Sequence, residues 1–158
     1  MVFAALTALV VIAFRLVLFY SGNSPEGAEF LIVHFLAVIT AVFITDQKLL
    51  RTNKDVTFPE LMREGFKSAA VYAILVSIFI WVFYTWVDMH YFEQRVNAMV
   101  HQGVLAGKKE QDIRPNIMRF FTPFNYTTIT FFTLLITGAL NALVIAAIHH
   151  KVLRRFAR

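Results

Sequence analysis

Residues Ser68 to Val87 read SAAVYAILVSIFIWVFYTWV, a run of 20 residues without one charged side chain. A bilayer core about 30 Å thick is crossed by roughly 20 apolar residues of helix rising 1.5 Å each. Backbone groups in lipid must bond within their own segment, so such a run predicts a transmembrane helix. Three more segments match it. One covers about 2–20 and is interrupted only by Arg15; another covers about 28–45, with Glu29 and His34 in its first turns. The last covers about 126–148 and is also uncharged.

The composition agrees. The 158 residues are 58% hydrophobic and 16% charged, against roughly 25% charged in average soluble domains. An ordinary soluble enzyme is excluded. The absence of cysteine removes disulfides, thiolate nucleophiles and cysteine-ligated metals. This length predicts a single integral-membrane domain over 1–158. The first span has no basic region before it. Bulky Phe19-Tyr20, not a small-x-small cleavage site, precedes Ser21-Gly22-Asn23-Ser24-Pro25, which predicts a retained span rather than a signal peptide.

Loop charges set the expected orientation. Lys48, Arg51, Lys54, Arg63 and Lys67 follow the second span, and Lys151, Arg154, Arg155 and Arg158 form the tail. With four spans both groups fall on one side. The Ser21–Gly27 turn has no Lys or Arg, and in the 88–125 loop five basic residues are offset by four acids. The positive-inside rule then places both termini in the cytoplasm, with Tyr20, Tyr84, Trp86, Tyr91 and Tyr126 as an outer aromatic belt. The net charge of +5 sits on these flanks, where anionic lipid accounts for it without nucleic acid.

Between spans two and three, Asn53 or Thr57 can cap a helix that Pro59 suits at an early position. Leu61, Met62 and Phe66 then form a short apolar face running into span three. The outer loop is too long for a plain connection. Phe92, Val96, Met99, Val100 and Val104 recur at helical spacing, and Lys108 to Asp112 reads as a polar turn. Ile113, Ile117, Phe120 and Phe121 form a second apolar set before the break at Thr122-Pro123. A helical extracytoplasmic hairpin is expected.

Few residues offer chemistry. Arg15 lies about 7 to 8 Å inside the outer end of span one, and an intramembrane arginine raises a functional question by default. Its expected partner is Glu29, with Glu26 as a rival. His34 reads as a packed histidine bonded to a neighbouring span rather than a haem ligand, since no second axial ligand lies at its depth. Adjacent His149 and His150 diverge by about 100° on a helix and cannot share a metal as an i, i+4 pair does. His90 and His101 also lack ligand spacing. Gly138 and Asn141 sit mid-span, where small residues admit a neighbouring helix and Asn can bond across to it, with Ser77 or Thr40 as partners. Within the spans there is no paired carboxylate, and the chain has no glycine-rich phosphate loop. An enzyme would have to use Asp88, His90 and Glu93, whose spacing demands nothing. No catalytic activity, metal or cofactor is expected.

Gly138-Ala-Leu-Asn-Ala-Leu143-Val-Ile-Ala146-Ala147-Ile148 followed by the basic tail resembles the last helix of a four-span bacterial inner-membrane family. That family is catalogued as domain of unknown function forty-one ninety-nine. Phe58-Pro-Glu-Leu-Met-Arg-Glu-Gly65-Phe66-Lys67 resembles the approach to its third helix, and the loop ending at Thr122-Pro123 resembles its periplasmic insertion. Asn141, where a smaller residue is expected, and Arg15 depart from the pattern. The resemblance implies a helical bundle in a bacterial cytoplasmic membrane and supplies no catalytic residues.

The expected fold is all-α, a four-helix transmembrane bundle with both termini inside and a helical outer loop between spans three and four. The expected role is a non-catalytic accessory or structural subunit packed against a larger membrane complex. Its contact surfaces would be the outer hairpin and Phe79 to Trp86, its partners lipids and other membrane subunits. The alternative is a small oligomeric transporter or lipid-carrier handling protein using Arg15 and Glu29.

Overall fold

A computed structural model describes residues 1–23, 28–53 and 55–153, with backbone alone at 28, 29, 152 and 153. Every regular element among them is helical: α1 Val2–Tyr20, α2 Ala28–Thr52, α3 Phe58–Val82, α4 Tyr91–Leu105, α5 Glu110–Phe120 and α6 Pro123–Ile148. A π-helical turn, Phe83–Val87, extends α3, and a second, His149–Leu153, extends α6. Four of these helices, α1, α2, α3 and α6, are long and apolar enough to cross a membrane. The chain is an all-α, four-span protein.

Two element boundaries differ from the sequence reading. Helix α2 continues past Thr45 to Thr52. Asp46 and Leu50 are buried against neighbours rather than hydrated, so Asp46 does not end the helix. Arg51 in the last turn complements the free carbonyls there. Helix α5 begins at Glu110, inside the expected polar turn, because Glu110 and Asp112 favour the positive end of a helix. Helix α3 starts as its sequence suggests. The Thr57 N–H and hydroxyl both donate to Glu60 Oε2, at 2.7 and 2.8 Å, half of a capping box.

The chain forms two compact units. The first takes residues 1–76 and 131–158. Its contacts fix an up-down order. Phe14 stacks on Phe30 while Lys48 lies over Phe3, so α1 and α2 are antiparallel. His34 meets Tyr72 while Thr45 meets Ser68, which makes α2 and α3 antiparallel. Gly138 abuts Ala69 and Ala142 lies beside Gly65, so α3 and α6 are antiparallel too. Lipid supplies no hydrophobic drive between helices, so association depends on close packing. The buried seams are accordingly small: Ala4 and Ala8, Ala37 and Ala41, Ala69 and Ala73, Ala142 and Ala146. Large side chains such as Leu9, Val10, Ile32 and Leu140 point outward. Leu50, Val56, Leu61 and Ala146 form an apolar cluster at one end, with Leu49 and Phe58 against it.

The second unit takes residues 77–130. Helices α4 and α5 form the hairpin, with Phe92, Val96 and Val100 buried along α4. Gly103 leaves room for Ile113 of α5, which a Cβ there would strike. Arg114 joins the two helices, donating to Glu110 at 2.8 Å and to Asn97 at 2.9 Å. Pro115 sits inside α5. Thr122 caps α6 by accepting the Asn125 N–H at 3.2 Å, with Pro123 at the first helical position. Tyr84 is buried and rings with Tyr91, Phe92 and Tyr126, at centroid distances of 4.6 to 5.4 Å. The belt expectation is therefore modified at Tyr84, which packs inside an aromatic cluster. Trp86 stays exposed.

Candidate functional site

Polar groups in the first unit gather at two levels of the helix bundle. The first lies where α1 ends and α2 begins. Arg15 continues the buried stripe Ala4, Ala8 and Val11, a helical i, i+4, i+7, i+11 series. Its guanidinium carbon lies 5.0 Å from the centre of the Phe30 ring, a cation–π position. The same ring takes the edge of His34 at 4.9 Å. His34 Nδ1 lies 2.8 Å from the Tyr72 hydroxyl, and Tyr72 is fully buried. Arg15, Phe30, His34 and Tyr72 thus link α1, α2 and α3 through ring contacts and the His34–Tyr72 bond. The Glu29 side chain and all of Glu26 lie outside the described residues, as do Lys54 and the tail arginines.

The second level lies toward the other end of α2 and holds a residue that sequence reasoning missed. Asp46 is wholly buried, and neither carboxylate oxygen has a hydrogen-bond partner among the described residues. It sits about 9 Å along the helix axis from Thr52. The opposing α3 presents Gly65. A Cβ at Gly65 would lie 3.2 Å from Asp46 Oδ1, 3.0 Å from Val42 Cγ1 and 3.2 Å from Ala142 Cβ. Beside it, the Thr45 and Ser68 hydroxyls lie 3.0 Å apart. Both converge on the Ala41 carbonyl, at 2.8 and 3.2 Å.

His149, also wholly buried, closes this region from α6. Its Nδ1 meets the Ile145 carbonyl at 3.0 Å, which assigns the proton to Nδ1 and leaves Nε2 an acceptor. Nε2 finds no partner among the described residues. The His149 ring rests 4.7 Å from Phe43 and that of His150 6.2 Å from Phe58. The two imidazoles therefore serve different neighbours. Asn141 Nδ2 is buried without a partner among the described residues. Thr40 turns back to Leu36 of its own helix, and the Ser77 hydroxyl is likewise buried and unpartnered.

Between these levels the helices close tightly. A Cβ on Gly138 would strike that of Ala69 and lie 3.7 Å from Val38. In the second unit, an open cleft of about 310 Å³ lies between α4 and α5, lined by Phe92, Val96, Met118 and Phe121 with Glu93, Asn97 and Arg114. Near it, His90 Nδ1 and Glu93 stand 3.8 Å apart, both exposed. The described residues hold no group of three His, Cys, Asp or Glu placed to share a metal ion.

No curated protein and no solved structure matches the chain. A family model described as "Protein of unknown function (DUF4199)" matches residues 2–151. That match spans nearly every element described above, from α1 into the turn after α6. The chain belongs to the DUF4199 family.

Proposed function

We propose that this protein is a non-catalytic accessory subunit of a larger assembly in a bacterial cytoplasmic membrane. Both termini lie in the cytoplasm and the α4–α5 hairpin lies on the outer face. The observation that carries this reading is the hairpin itself. Its helices leave Leu105, Met118 and Phe120 exposed, Met118 in the wall of a formed cleft, while Arg114 is committed to Glu110 and Asn97. Exposed apolar side chains beside a charge that is already paired suit a partner's apolar side chains better than water. Trp81 and Trp86, in edge contact at 5.6 Å and both exposed, add an aromatic patch to the same unit.

The test places a photo-crosslinking amino acid at Met118 in the native membrane, with Leu9 on α1 as a control. The expected outcome is one discrete protein adduct from position 118, and a larger assembly with different chains by native mass spectrometry. Adducts to lipid or to the protein itself alone, with only a monomer or homo-oligomer in the spectrometer, overturn the reading.

Asp46 favours a second reading, a small oligomeric transporter. Buried ionisable groups within spans commonly mark ion pathways. A homo-oligomer that retains a small ligand through gentle extraction supports it.

A further inference from the structure

We infer that Asp46 is a proton-binding site within the membrane domain, its carboxyl holding one exchangeable proton. Among the described residues no donor reaches either carboxyl oxygen: Asn141 Nδ2 of α6 is itself without a partner there, and the other nearby donors are directed elsewhere. Thr45 and Ser68 close on one another and on the Ala41 carbonyl. The His149 Nδ1–H is directed to Ile145, so the imidazole offers Asp46 only another acceptor. Lys67 of α3 is paired with Glu64 of the same helix. Lys48 of α2 lies over the Phe3 ring of α1. Arg15, the cation of α1, lies over Phe30 near the start of α2.

A carboxyl that is fully buried and receives no hydrogen from the described residues is costly to hold as an anion, and a proton neutralises it. A proton is the cation that these surroundings suit best. On the side of Gly65 the carboxyl's neighbours are the Val42 and Ala142 side chains, and the Thr45 and Ser68 hydroxyls are turned to the Ala41 carbonyl, whereas alkali and alkaline-earth cations need a shell of several oxygens. Gly65 gives the carboxyl its room, since any side chain there would press on Oδ1. Release of the proton requires water to enter between α2 and α3, so its uptake and loss are tied to how closely these helices pack at this end. Proton binding here would supply the coupling ion of the transporter reading. It is also compatible with an accessory subunit, and the crosslinking result and the state of Asp46 are read separately.

Infrared difference spectroscopy on the full chain in liposomes decides it, with pH steps in choline chloride and then in sodium chloride. The wild type is expected to show the carbonyl stretch of a protonated carboxyl near neutral pH. That band should fade reversibly as pH rises and be absent from a folded Asp46→Asn protein. The Asn amide keeps the shape of the protonated acid, and identical thermal unfolding of the two proteins verifies that fold. Should Asp46→Asn not fold, carbon-13 labelling of aspartate identifies the band in the wild type by its isotope shift, since Asp46 is the one aspartate within a span. No such band at any pH overturns the proposal. So does a band abolished by sodium but not by choline, which would make the site an alkali-cation site.

Discussion

His34 and Tyr72 stand 38 positions apart and meet at 2.8 Å in a buried site. A polar bond between spans has no water competing for it, yet such bonds average only about 0.6 kcal/mol and reach about 1.7, because unfolded helices in lipid find other partners. Tyr72→Phe is expected to lower stability by that range in reversible unfolding from mixed micelles. His34→Ala in the same background should add less than it does alone. The sequence makes His34 visible as a polar residue in an apolar run but gives no means of choosing among hydroxyls on other helices. Asp46 was hidden for a different reason. An aspartate after an apolar run reads as the membrane boundary, and only the opposing Gly65 and Ala142 show that it is enclosed. The available signal was that glycine, lying on an otherwise well-formed helical segment.

At the scale of elements, the α3–α6 seam depends on what Gly138 lacks. Its added Cβ would strike the Cβ of Ala69, a short rigid group that cannot swing aside. Gly138→Ala is expected to destabilise by about 1–3 kcal/mol, as overpacking usually does. Ala69→Gly in the same chain should recover most of that loss. Chemical denaturation of the two single variants and the double variant gives the coupling directly. Uncharged apolar length made the four spans legible, as it is a local property of sequence. Helix ends were less legible, since α2 is prolonged by tertiary contacts of Asp46 and Leu50. The hairpin helix α4 was foreshadowed by the spacing of Phe92, Val96 and Val100, all buried in the structure.

At the scale of the molecule, the expected topology follows from the distribution of lysine and arginine. The chain has no cysteine, so single cysteines can be introduced without removing any. Cysteine at Arg51 or Lys151 is expected to react with an impermeant maleimide only after the membrane is opened. Cysteine at Lys109 should react in intact cells. The reverse pattern, or reaction of all three from one side, would overturn the orientation. The division into two compact units was not legible from sequence, because α3 and α6 each contribute residues to both.

Arg15 bears on how the protein is made. A ribosome delivers α1 before α2, and an arginine within a lone helix is penalised by about 2.5 to 3.5 kcal/mol at mid-bilayer, less near its edge. Its guanidinium rests on Phe30, near the start of the second helix, so the shelter for that charge is synthesised second. The first two helices therefore suit integration as a pair.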